Sequence, residues 1–222
     1  NVDVDAMSKV SIDSTIAIDP YTTDCGGDLN ADGADDLIIG LPYYYSAGQF
    51  IGAAALLYGD TESFTEKTLS DLSIFIGEDD TTKTGTAVKI IGDINSDGFD
   101  DAVVSSIYLD QGAIYILYGS SDQLSTRPLS DFVRLHGTDD DAYLGNELAA
   151  LGDFNRDGYD DFAVVSRGGF GRIYLMYGHS DTFSEGSIDG QRYLMSKGEY
   201  KLESGGLSSP TGDLNGDGFK DL

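Results

Sequence analysis

Thirty-nine acidic residues against 13 basic leave this 222-residue chain with a formal net charge of −26, and 40% of its residues are apolar. That length holds one large domain or two small ones with a real core, while the acidity excludes nucleic acid and anionic membranes as partners, since both call for a basic surface. One cysteine excludes a disulfide framework and a multi-cysteine zinc site, and no apolar run approaches the roughly 18 residues of a membrane-spanning helix.

The acid is unevenly chosen, 32 Asp against 7 Glu. Glu forms helices, whereas Asp favours turns, caps and oxygen-rich metal loops, so the charge is expected in loops.

In chain order, residues 1–19 carry Val2, Val4, Val10, Ile12, Ile16 and Ile18 in partial alternation, as strands of a preceding unit would. From residue 20 the chain repeats itself. GDLNADGADDL, GDINSDGFDDA, GDFNRDGYDDF and GDLNGDGFKDL begin at Gly27, Gly92, Gly152 and Gly212, at spacings of 65, 60 and 60 residues. A first strand precedes each loop, strongly at Val88–Ile91 and Leu148–Leu151, weakly at Thr23–Gly26 and Ser208–Thr211, where Pro210 cannot donate to a sheet. Second strands follow at Leu37–Ile39, Ala102–Val104 and Phe162–Val165. Third strands end in Tyr-Gly: GAAALLYG from Gly52, GAIYILYG from Gly112 and GRIYLMYG from Gly171. Fourth, weaker strands fall at Ser73–Ile76 and Phe132–Leu135. Glycines recur eight residues before the leading Asp at Gly85, Gly145 and Gly205, with Pro20 in the first copy.

Short continuous Val/Ile/Leu/Tyr runs bounded by Gly and Asp suit strands buried on both faces. Four such strands every 60 residues make an all-β chain of β-propeller blades, with units near 20–84, 85–144, 145–204 and 205–222. The second and third units are expected to pack best. The acidic runs Glu78–Asp80 and Asp139–Asp141 fall between units, as a solvated rim or a docking surface for a cationic or metal-bridged partner. Tyr43, Tyr44 and Tyr45 either stack on sugar rings or pack between blades. Cys25 is expected as a small, largely buried thiol. His136 sits at a strand end and His179 in a turn after Tyr177-Gly178.

The loops read D-x-N-x-D-G-x-x-D. Calcium takes six to eight oxygens from carboxylates, amide carbonyls and backbone carbonyls. Positions 1, 3 and 5 converge when the chain curls, the glycine at position 6 permits the sharp turn, the carbonyl at position 7 turns inward and position 9 closes the shell. The predicted ligands are Asp28, Asn30, Asp32, Ala34 and Asp36 in the first loop, and Asp93, Asn95, Asp97, Phe99 and Asp101 in the second. The third offers Asp153, Asn155, Asp157, Tyr159 and Asp161, and the fourth Asp213, Asn215, Asp217, Phe219 and Asp221, for about four calcium ions. An EF-hand would need Glu at position 12, which here is Ile39, Val104 or Val164. Magnesium, which keeps its waters, suits such a cage poorly.

This combination resembles the FG-GAP repeats of the integrin α-subunit β-propeller and of microbial surface proteins. The resemblance implies a calcium loop between the first two strands of each blade and a Gly-Ala-Pro turn after the second. Gly40-Leu41-Pro42 matches that turn; Ser105-Ser106-Ile107 and Ser166-Arg167-Gly168 depart from it, and no Phe-Gly pair occurs. The implied role is an extracellular, calcium-stabilised binding or adhesion module at the cell surface, with a protein or carbohydrate ligand or neighbouring copies of itself as partner, and no nucleic acid or inserted membrane. The alternatives are a structural subunit of a surface layer or filament, and a polysaccharide-acting or phospholipase-like enzyme. No nucleophile elbow or recurring His/Asp/Ser constellation supports catalysis. Propellers of this type close with about seven blades, so the chain is expected to be an incomplete ring, either a fragment of a longer protein or one whose open edges pair with other chains.

Overall fold

A computed structural model of the chain describes residues 21–59, 71–80, 82–138, 143–168, 171–188 and 192–195. The expectations for residues 1–19, Asp139–Asp141 and the copy from 205 onward lie outside them.

The first sheet is built from β1 (Thr22–Cys25), β2 (Leu37–Leu41), β5 (Ala53–Leu57) and β6 (Ser73–Ile76), with the hairpin β3 (Tyr45–Ser46) and β4 (Gln49–Phe50) inserted between β2 and β5. The second contains β7 (Thr84–Gly92), β8 (Asp101–Ser106), β9 (Ala113–Leu117) and β11 (Val133–His136). The third contains β12 (Glu147–Gly152), β13 (Asp161–Ser166), β14 (Arg172–Met176) and β16 (Arg192–Met195). Within each set of four, neighbours run antiparallel in chain order. The three sheets are thus three copies of one blade-like unit.

A fifth strand escaped the sequence pattern. β10 (Arg127–Pro128) leaves the second unit to pair parallel with β6 of the first, and β15 (Gly186–Ser187) pairs likewise with β11 of the second. Two residues are too short to show a period. In the second and third units the connection before the fourth strand therefore reaches back to the outer edge of the preceding sheet.

The continuous apolar runs have the expected cause. Every residue of β5, β8, β9 and β13 is buried. In the middle sheet, Ala102, Val104, Tyr115 and Leu117 pack with Ile38, Leu56 and Phe75 of the first sheet. The alternate residues Val103, Ile114 and Ile116 pack with Phe162, Val164 and Tyr174 of the third. Side chains on a strand alternate between faces, so a sheet covered on both sides needs apolar residues throughout. Fully burying each Ile, Leu or Phe contributes about 1.5–3 kcal/mol.

Close contact between units explains the recurrent glycine. Gly85 sits at φ +86°, and a Cβ there would lie 2.1 Å from the carbonyl oxygen of Ala53 and 2.7 Å from the nitrogen of Leu41. A side chain would force adjacent sheets apart. Gly145, its counterpart, has φ +84°.

One expectation needs correcting. Cys25 is exposed: β1 alternates, and Asp24 turns to the next sheet, where it accepts from Lys89 Nζ at 2.7 Å and the Ile90 N–H at 2.9 Å, leaving Cys25 on the open side. Glu78, Asp79 and Asp80 are exposed, as a solvated rim requires, and Glu78 also accepts the Tyr115 hydroxyl and lies 3.8 Å from Arg134. Of the tyrosine run, Tyr44 packs against the first sheet while Tyr43 and Tyr45 are exposed, Tyr43 beneath Lys83 Nζ at 3.8 Å and Tyr45 edge-on to Phe50. His136 ends β11 with Nδ1 3.0 Å from the Gly137 carbonyl oxygen.

Candidate metal centre

Each loop joins the first and second strands of its sheet, so all three described loops lie at one end of the blades. Their internal geometry is the same three times. The position-1 carboxylate accepts two N–H groups, those of positions 5 and 6: Asp28 from Asp32 at 3.1 Å and Gly33 at 2.7 Å, Asp93 from Asp97 at 3.0 Å and Gly98 at 2.8 Å, Asp153 from Asp157 at 3.0 Å and Gly158 at 3.0 Å. The amide oxygen of Asn30, Asn95 or Asn155 accepts the N–H of position 5 at 2.9–3.2 Å. Position 5 in turn accepts the N–H of Ala34, Phe99 or Tyr159 at 2.9–3.1 Å. Positions 1, 3 and 5 are thereby curled around the same stretch of backbone.

That curl needs left-handed backbone at two places. Gly33, Gly98 and Gly158 take φ of +89°, +93° and +95°, the role assigned to position 6. Position 4 is also left-handed in Ala31, Ser96 and Arg156, at +55°, +58° and +63°, although none is glycine.

Position 9 behaves differently. Asp36, Asp101 and Asp161 are at most 1% exposed. One oxygen accepts the N–H of position 2, from Leu29 at 2.7 Å, Ile94 at 3.1 Å or Phe154 at 3.0 Å. The other accepts the N–H of the Tyr-Gly glycine, Gly59 at 2.8 Å, Gly119 at 2.9 Å or Gly178 at 2.9 Å. The residue therefore staples the loop to the end of the third strand. Burial pushes Asp36 and Asp161 up to about 6 and Asp101 up to about 8, against the lowering effect of these N–H bonds. Among the described residues no salt bridge reaches any of the three.

Among the described residues, no three Asp, Glu, His or Cys side chains are gathered into a ready-made cation cluster. The donor set fits a hard cation in its chemistry: all oxygens, one carboxylate buried without a basic partner, and Asn rather than Lys or His at position 3. The residues Asp213, Asn215, Asp217, Phe219 and Asp221 lie outside the described residues.

Sequence reading missed three features of the site. Position 2 is an anchor, with Leu29 and Ile94 fully buried in the cores between sheets. Position 8 reaches the preceding loop, as Asp100 accepts from the Asp28 N–H and Asp160 from the Asp93 N–H. The Tyr-Gly tyrosines latch units together, Tyr58 Oη accepting the Leu124 N–H at 2.7 Å and Tyr118 Oη the Phe183 N–H at 2.8 Å. The repeated Asp-Asp and Tyr-Gly pairs were the available signals.

Fold and loops together define a β-blade repeat protein in which an Asp/Asn loop opens each unit. Residues 153–222 match the model of the FG-GAP-like repeat. The chain is 32% identical to human (Homo sapiens) integrin alpha-6 over 139 residues, 63% of this chain and 12% of that protein. It is 29% identical to integrin alpha pat-2 of Caenorhabditis elegans over 164 residues, 63% of this chain and 13% of that one. With integrin alpha-5 of Xenopus laevis the match is 25% over 215 residues, 88% of this chain and 19% of the relative. The repeat match and the integrin alpha relatives together support the FG-GAP repeat family for this chain. It spans less than a fifth of the length of these curated relatives. Among the described residues no helix is long and apolar enough to cross a membrane.

Proposed function

We propose that the chain is part of an extracellular adhesion module, a β-propeller segment whose Asp/Asn loops each hold a calcium ion in a structural role. The observation that carries this reading is the threefold recurrence of one hydrogen-bonded loop that presents Asp28, Asn30, Asp32 and Asp36, and their counterparts, at the same end of successive blades. Bound calcium supplies positive charge among oxygens that otherwise repel one another. Four ions add +8, taking the chain from −26 to −18. The backbone carbonyls of Ala34, Phe99, Tyr159 and Phe219 complete each ligand set.

The domain plan that accompanies this reading is three full repeats and part of a fourth from residue 20 onward, belonging to a ring of about seven blades. A ligand of protein or carbohydrate character would meet the end opposite the loops, where the connections between second and third strands expose Tyr43, Tyr45, Phe50 and Tyr108. No catalytic role is assigned.

Calcium modules of the extracellular type bind at about 10⁻⁴–10⁻³ M. With calcium tenfold above such a constant, each site adds ~1.4 kcal/mol, or ~6 kcal/mol for four. Thermal unfolding with calcium and with a chelator tests the reading: the melting temperature should fall on chelation and return with calcium but not with magnesium. A midpoint indifferent to millimolar chelator would overturn it.

A further inference from the structure

The position-8 aspartates are not in the ligand pattern, yet they hold the adjacent loop by its main chain. Asp100 Oδ2 accepts the N–H of Asp28 at 2.8 Å, and the Asp100 N–H donates to the Asp28 carbonyl oxygen at 3.1 Å. Both backbone polar groups of the first residue in one loop are thus held by one residue of the next unit. Asp160 repeats the arrangement with Asp93, at 3.1 Å for each bond. The next position is gripped as well: Leu29 O accepts the Ser120 N–H and Ile94 O the His179 N–H, each at 2.9 Å. Within a loop, the side chains are ordered by the loop's own N–H groups, but the backbone that carries its first ligand is fixed from the following blade.

We propose that Asp100 and Asp160 are positioning residues for the cation loop of the preceding unit, so that the affinities of loops 28–36 and 93–101 are set in part from the following blade. The inference rests on the calcium reading above. A carboxylate accepting a backbone N–H makes a charge-assisted bond, stronger than a neutral one. Here it pins the residue whose carboxylate opens the ligand set, and a ligand held in place beforehand loses less freedom when the ion arrives. The coupling has a direction. Asp100 makes its hydrogen bonds to the loop 28–36 and Asp160 to the loop 93–101, while the Asp100 charge also faces Asp93 of its own loop.

The test is a calcium titration of the full chain followed by amide NMR, because three glycines report three loops separately. The Gly33 N–H donates to Asp28, that of Gly98 to Asp93 and that of Gly158 to Asp153. Asp100→Ala should weaken calcium binding at Gly33 by roughly tenfold, the scale of one charge-assisted hydrogen bond, with Gly98 and Gly158 within about twofold of the unmodified chain. Asp160→Ala should move the loss to Gly98. Asp100→Asn keeps an oxygen that can accept the Asp28 N–H as a neutral bond, and should recover part of the loss. Equal losses at Gly33 and Gly98, a loss confined to Gly98 in Asp100→Ala, or an Asn variant as weak as the Ala variant would each overturn the proposal. Should Asp100→Ala fail to fold, Asp160→Ala and Asp100→Asn carry the same comparison. If no glycine amide responds to calcium in the unmodified chain, the calcium reading itself has failed, and that outcome is distinct from the others.

Discussion

Replacing Gly119 by alanine perturbs the point where two loops and a strand end converge. A Cβ on Gly119 would lie 2.3 Å from the carbonyl oxygen of Asp100, 2.6 Å from that of Leu29 and 2.8 Å from the Cβ of Phe99. Two of these atoms are backbone, so no rotamer change relieves the contact. The N–H of the same residue donates to Asp101 at 2.9 Å, and any retreat of the strand end lengthens that bond. Overpacking of this kind costs about 1–3 kcal/mol, and weakening a buried N–H···carboxylate bond adds about 1 kcal/mol. A loss of ~3 kcal/mol follows, or roughly 6–12 °C in melting temperature for a domain of this size. The control is Gly98→Ala. That glycine is at φ +93° with nothing within 4 Å of the added Cβ, so only backbone strain of about 1–2 kcal/mol opposes the change. Urea unfolding in saturating calcium, followed by tyrosine fluorescence, gives both values from shifts in midpoint at unchanged slope. A Gly119→Ala chain as stable as the unmodified one, or less affected than Gly98→Ala, would refute the close approach of the loops to the Tyr-Gly strand ends.

Other consequences are open to direct measurement. Burial pushes the hydroxyls of Tyr58 and Tyr118 up to about 12 from the usual 10. The folded chain keeps these protons where the unfolded chain has released them, so stability should fall as pH rises from 10 to 12; an absorbance titration in which all tyrosines ionise near pH 10 in the native state would contradict this. Tyr118→Phe leaves the Phe183 N–H without its acceptor and should cost about 1–3 kcal/mol, whereas Tyr108→Phe, at a ring 49% exposed, should change the urea midpoint little. Cys25, exposed on an edge strand, should react with a thiol reagent in the native state without a lag; labelling that waits for unfolding would restore the buried placement.

What the sequence made legible and what it hid have physical causes. The second and third strands announced themselves because β5, β8, β9 and β13 are buried on both faces, whereas the half-exposed β1 read weakly and β16 was not singled out. Position 6 of each loop was legible because only glycine meets its φ cheaply; position 4 was not, since Ala31, Ser96 and Arg156 share no side-chain chemistry. The position-8 aspartates dropped out of the motif because the last copy has Lys220 there. Their partner is a backbone N–H 67 or 72 residues away, a contact that leaves no periodic trace. Cys25 was misplaced because its alignment with Ile90 and Ala150 ignored Asp24, whose ion pair with Lys89 decides which way β1 faces.

The central claim, that these loops hold calcium, is tested most directly by counting ions. Equilibrium dialysis of the full chain against millimolar calcium in excess magnesium should give about four bound ions per chain, one for each Asp/Asn loop, with removal of Asp28 and Asp32 by alanine substitution lowering the count by one. A count below one ion per chain, or displacement of the bound calcium by magnesium at comparable concentration, would contradict the account.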